Sequence, residues 1–93
     1  MLVTDTATKF MEEMLVNTEL FDRKHQDYGP GNINKLGFDG VLARIDEKLE
    51  RIKHLSKKGG TAATGEPMED SLRDISNLAT IALMFKQGNW PKE

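Results

Sequence analysis

The chain has 93 residues, enough for one domain with little room for a second. Its net charge of −2 gives no overall electrostatic bias toward nucleic acid. It contains no cysteine, which excludes disulfides, thiolate nucleophiles and cysteine-based zinc sites. No apolar run is long enough to cross a membrane, and residues 1–5 do not resemble a signal peptide, so we expect a cytoplasmic protein. Because so short a chain buries a small share of its surface, we also expect a homo-oligomer.

Three helices are predicted in chain order. The first spans about residues 5–26, where apolar side chains recur every three or four positions after a capping Thr4 or Asp5. The stretch 27–32 contains Pro30 between two glycines and is expected to form a loop.

The second helix is predicted over about residues 39–57, which carry one apolar stripe. A flexible glycine-rich loop is expected at 58–65, and the third helix at about 67–87, with Pro67 at its start. The fold class is therefore all-α, with three main helices in a small bundle that oligomerisation would complete.

An acidic row lies on the third helix. Glu66, Asp70 and Asp74 are spaced four apart, so they share one face, and Asn77 continues it. Like charges at this spacing repel, so a divalent cation such as Mg²⁺ or a set of lysines and arginines is expected to compensate them. The alternative is an ordinary solvated surface near the helix amino end.

A basic row lies on the second helix. Arg44, Lys48 and Arg51 share one face and could bind phosphate oxygens. Acids of the same helix, Glu47 and Glu50 among them, could complete a metal site with the acids of the third. The alternative is that all these charges form ordinary surface ion pairs, such as Glu47 with Arg51.

The predicted loop and the turn before it supply the remaining polar candidates. Tyr28 offers a flat face on which a base could stack, and Asp27 or Asn32 could bind a sugar or a base edge. Lys24 adds a cation beside them. The alternative is that the loop merely ends the helix and that Tyr28 packs on the core.

These features occur in an order that resembles a known family. The segments that carry the resemblance are Lys24-His25-Gln26-Asp27-Tyr28-Gly29, Asn32, Gly40, Arg44-Ile45-Asp46-Glu47-Lys48-Leu49-Glu50-Arg51, Glu66 and Asp70-Ser71-Leu72-Arg73-Asp74-Ile75. Together they resemble the nucleotide modification associated domain 1 family of phages and bacteria. The resemblance covers roughly residues 21–83, and it implies a role in phage nucleotide metabolism, in the host cytoplasm if a phage encodes the chain.

The helix-borne acids are more distantly similar to those of MazG-type all-α nucleoside triphosphate pyrophosphatases. That similarity implies Mg²⁺ on Glu47, Glu50, Asp70 and Asp74, with Glu47, Asp70 and Asp74 as catalytic residues of a hydrolase. The nucleotide itself is expected on Lys24, Asp27, Tyr28, Asn32, Arg44, Lys48, Arg51 and Asn77. Two alternatives stay open: a domain that sequesters a nucleotide without cleaving it, and a protein-interaction module that docks a partner on the apolar 78–85 face.

Overall fold

The computed structural model describes residues 1–92, and helices are the only regular secondary structure within them. They are α1 (Asp5–Tyr28), α2 (Gly31–Lys57) and α3 (Met68–Gln87). The predicted all-α, three-helix architecture is confirmed.

The first helix begins and ends on local capping signals. The side chain of Thr4 accepts a hydrogen bond from the Ala7 amide at 3.0 Å, which satisfies one of the free donors of the first turn. The helix continues to Tyr28, so Asp27 belongs to its last turn instead of to a loop. It stops at Gly29, where φ is +66° and ψ is −172°, a conformation that is essentially restricted to glycine.

The second helix starts eight residues earlier than predicted. Gly31 follows Pro30, and a short helical stretch runs to Gly37, where φ of +66° and ψ of −178° break the helix before it resumes. The apolar stripe marked the long segment after the break, whereas the short segment before it is too brief to show a period. The chain therefore turns twice within nine residues, at Gly29 and at Gly37.

The third helix has the predicted extent to within one residue. Pro67 precedes it with extended backbone, and Gly88 ends it in the left-handed region, with φ of +73°. The Asn89 amide then donates to the Met84 carbonyl at 2.8 Å, which satisfies a carbonyl of the last turn and points the chain back toward the helices.

Helices α2 and α3 pack antiparallel. Arg51 of α2 contacts Ser71 of α3. Lys48, one turn before Arg51, contacts Asp74, one turn after Ser71, so the two helices run in opposite directions. Their core is centred on Val41 and includes, among the buried side chains, Ile81, Ala82 and Trp90. Much of the apolar 78–85 segment predicted to dock a partner is therefore used inside the molecule.

Helix α1 joins α3 through polar side chains. The buried Asn17 accepts a hydrogen bond from Arg73 Nη1 at 2.8 Å and donates to Ser76 Oγ at 3.3 Å, while Asn77 donates to the Asn17 carbonyl at 3.0 Å. Arg73 also pairs with Glu13 at 2.9 Å. Because the side-chain oxygen, the side-chain nitrogen and the backbone carbonyl of Asn17 all have partners on α3, this buried residue fixes how the two helices meet.

The molecule is flat, with principal extents of 41 × 36 × 23 Å. The shortest dimension is about two helix diameters, so each helix keeps a large share of its surface in solvent. None of the helices within residues 1–92 is both long enough and apolar enough to span a membrane.

Candidate functional site

A cavity of about 400 Å³ opens where the three helices approach one another. Two of its walls are the last two turns of α1 and the middle of α3. Helix α2 contributes both its short first segment and its middle, and Trp90 completes the lining. This volume lies within the range of small-molecule sites, roughly 300–1,000 Å³.

Helical spacing explains why these side chains converge. Phe21, Lys24 and Tyr28 follow one another at three- and four-residue intervals. On α2, Glu47 and Lys48 come three and four residues after Arg44. On α3, Asn77 and Leu78 come three and four residues after Asp74, and Ile81 comes three residues after Leu78. Each helix thus turns one face toward the cavity, and each of these three faces has charged side chains beside apolar ones.

Asp74 is the centre of the charged side of the cavity. Its side chain is 17% exposed, and its carboxylate lies 3.4 Å from Lys24 Nζ and 3.0 Å from Lys48 Nζ. A carboxylate so deeply placed needs compensating charge, and here two ammonium groups from two helices provide it. Each ammonium has three N–H donors, so both lysines retain donors for a further anion.

Arg44 adds a third cation, one turn before Lys48. Its Nη1 donates to Glu47 Oε2 at 3.2 Å, which leaves the other donors of the guanidinium fork free of that contact. The cavity therefore has three cations against the carboxylates of Glu47 and Asp74. The excess of one positive charge favours an anionic ligand.

Aromatic side chains also line the cavity. Phe21 and His25 stack with ring centroids 5.3 Å apart, and Trp90 meets both rings edge-on at 6.0 and 5.4 Å. Phe85 stacks on the far face of Trp90 at 6.1 Å. The Trp90 indole also donates to the Pro30 carbonyl at 3.4 Å, which fixes this ring across the turn between α1 and α2.

The structure brings most of the predicted site residues to this cavity. The eight that line it are Lys24, Tyr28, Asn32, Arg44, Glu47, Lys48, Asp74 and Asn77. The four that do not are Asp27, Glu50, Arg51 and Asp70. Tyr28 lies on the exposed rim, and the amide nitrogen of Asn77 is already bonded to Asn17.

Arg51 has a structural role in place of the predicted phosphate contact. Its guanidinium donates to Ser71 Oγ and to the Glu66 carbonyl, both at 2.6 Å, and so ties α2 to the start of α3. It shares a helical row with Arg44 and Lys48, but that row extends one turn beyond the cavity. Asp70 lies outside for the same reason, because it comes one turn before Asp74.

The predicted Mg²⁺ ligands do not converge. Glu47 and Asp74 face the cavity, whereas Glu50 lies on the outer surface 3.8 Å from Lys53, and Asp70 is exposed. Within residues 1–92 no three histidine or acidic side chains are grouped closely enough to hold a metal ion. Asp74 is also already neutralised by lysines, so the donor set does not fit the implied metal site.

Sequence reasoning missed the aromatic wall. Neither His25 nor Trp90 is among the predicted binding residues. A signal was available for one of them, since Phe21 and His25 are four residues apart on a helix. The return of Trp90 over the α1–α2 turn depends on tertiary packing.

No match was found among protein-family models, curated proteins or solved structures. The resemblance to the nucleotide modification associated domain 1 family therefore stays a prediction.

Proposed function

We propose that the protein binds a nucleotide in the cavity between its three helices. The observation that carries this proposal is one cavity that is lined both by three cations and by a cluster of aromatic rings. A nucleotide uses both features, because cations neutralise its phosphate oxygens and flat rings stack on its base.

In this proposal Lys24, Arg44 and Lys48 contact the phosphates. Asp74 acts through the two lysines, since its contacts of 3.0 and 3.4 Å hold their ammonium groups at the cavity wall before a ligand arrives. Preorganised cations lose less side-chain entropy on binding than free ones do. The base would lie against the rings of His25 and Trp90.

Binding without cleavage is the form of the proposal that the side chains support best. No step through a metal ion follows from them, because the predicted ligands are spread over separate surfaces. The pyrophosphatase activity implied by the distant resemblance stays a prediction. A domain that holds a nucleotide would serve sequestration or delivery to a modifying enzyme, in the host cytoplasm if a phage encodes the chain.

Calorimetric titration with a panel of nucleosides and their mono-, di- and triphosphates tests this proposal. We expect affinity to rise from nucleoside to triphosphate, because each added phosphate meets more of the three cations. Lys48→Met should weaken triphosphate binding by roughly tenfold or more, since a hydrogen bond to a charged group contributes about 1.5–3 kcal/mol.

Lys53→Met is the matched control. Lys53 pairs with Glu50 at 3.8 Å and does not line the cavity, so its removal should leave affinity unchanged. The same mixtures with Mg²⁺, assayed for released pyrophosphate, separate a binder from a hydrolase. Absence of any heat of binding across the panel would overturn the proposal.

We also propose that the protein works as a homo-oligomer, because a flat domain of this size covers little of its own apolar surface.

A further inference from the structure

The N-terminal half of α1 carries an apolar surface that the chain leaves uncovered. Phe10, Met11 and Leu15 are 68%, 52% and 58% exposed. Within residues 1–92, seven of the twelve exposed large apolar side chains lie in the first sixteen residues. Isolated exposed apolar residues are ordinary, but such a concentration in the first half of α1 and the residues before it indicates an interaction surface.

The spacing of these residues indicates what kind of partner fits. Phe10, Met14 and Asn17 follow one another at intervals of four and three, and Met11 and Leu15 form the adjoining row, as on a helix that packs along another helix. The later part of this stripe meets α3, through Asn17. The earlier part extends beyond that contact and has no helix of the same chain packed on it. The stripe therefore predicts that a helix of another molecule packs there.

The chain exposes more surface than a compact monomer of its size, enough to allow a dimer interface. The chain has an accessible surface of 6928 Å², whereas a compact monomer of 10.5 kDa is expected to expose about 5,400 Å². The surplus of about 1,500 Å² exceeds the roughly 800 Å² that each partner covers in a standard interface. The radius of gyration of 14.9 Å also exceeds the value of about 12 Å expected for a compact chain of this length.

We propose that the N-terminal half of α1 is the surface on which a second copy of this chain docks. An apolar helical stripe is complementary to itself, and two-fold dimers are the commonest soluble oligomers. The net charge of −2 leaves little repulsion between copies. The dimer does not depend on nucleotide binding, because the cavity uses the opposite end of α1.

Sedimentation analysis of the full chain, from micromolar to near-millimolar concentration, tests the proposal. The expected species has about 21 kDa, twice the 10.5 kDa of the chain. Leu15→Lys should raise the dimer dissociation constant by about tenfold or more, as the loss of a central apolar contact commonly does. The new lysine lies near Glu12 and Glu19, so the substitution does not weaken the helix itself.

Leu42→Lys is the control for a new charge at an exposed leucine. Leu42 lies on α2, is 41% exposed, and has Asp39 and Asp46 at the same helical spacings. Circular dichroism confirms folding, and Phe10→Lys replaces Leu15→Lys if that variant loses helix. The proposal is overturned by a monomer at every concentration. It is also overturned if the folded α1 variants dimerise as well as Leu42→Lys does.

Discussion

The break in α2 predicts an unusual sensitivity at one glycine. Gly37 has φ of +66° and ψ of −178°, and the helix resumes directly after it. An alanine side chain would meet open space there, so any loss in Gly37→Ala comes from the backbone conformation and not from a clash. Holding a non-glycine residue in such a region costs about 1–3 kcal/mol.

The net effect on stability follows from two opposing contributions. Alanine restricts the unfolded chain and so returns about 0.4–1 kcal/mol. The midpoints of the two ranges, about 2 and about 0.7 kcal/mol, leave a net loss of about 1.3 kcal/mol. For a domain of this size, each kcal/mol of lost stability lowers Tm by about 4–8 °C. We therefore expect Gly37→Ala to lower Tm by about 5–10 °C in thermal unfolding followed by circular dichroism at fixed protein concentration.

Gly31→Ala is the matched control in the same helix. Gly31 is not among the glycines with positive φ, so alanine there should leave Tm unchanged or raise it slightly. If Gly37→Ala proves as stable as Gly31→Ala, the kink is not the conformation that the protein adopts, and the cavity wall built by the short first segment of α2 would be wrong.

Two further substitutions separate structural residues from binding residues. Arg51→Ala should lower the free energy of unfolding in urea by about 1–3 kcal/mol, because Ser71 and the Glu66 carbonyl lose a charged donor. Nucleotide affinity should stay within about twofold. A large loss of affinity with little loss of stability would show that Arg51 binds the nucleotide. Asn17→Ala should cost a similar amount, about 1–3 kcal/mol, because Arg73 loses a partner at 2.8 Å and the α1–α3 contact loses its buried amide; unchanged urea unfolding would show that this network contributes little.

Sequence patterns predicted the helices well and their connections poorly. The apolar period identified the long part of α2, but the six residues before Gly37 are too few to show a helical period. The tight path between Gly29 and Gly37 is held partly by the C-terminal segment, where Asn34 donates to the Pro91 carbonyl at 3.0 Å. A contact between residues so far apart in sequence leaves no local signal.

The same distinction explains the candidate site. Spacing showed correctly that Arg44, Lys48 and Arg51 share a face, but it could not show where along that face a cavity ends. In the structure Arg44 and Lys48 line the cavity, whereas Arg51, one turn further along the same face, binds Ser71 instead. Likewise, the repulsion along the acidic row predicted that cations would neutralise these carboxylates. At Asp74 lysines from the two other helices do so.

The most direct test of the nucleotide site is the location of bound ligand, which nuclear magnetic resonance can map in a chain of 10.5 kDa. Titration of the ¹⁵N-labelled protein with a nucleoside triphosphate should shift the Trp90 indole signal and the backbone amides of Gly29, Lys48 and Asn77, while those near Lys53 stay in place. Shifts confined to surfaces away from the cavity, or no shifts at millimolar ligand, would contradict the assignment of this cavity as a nucleotide site.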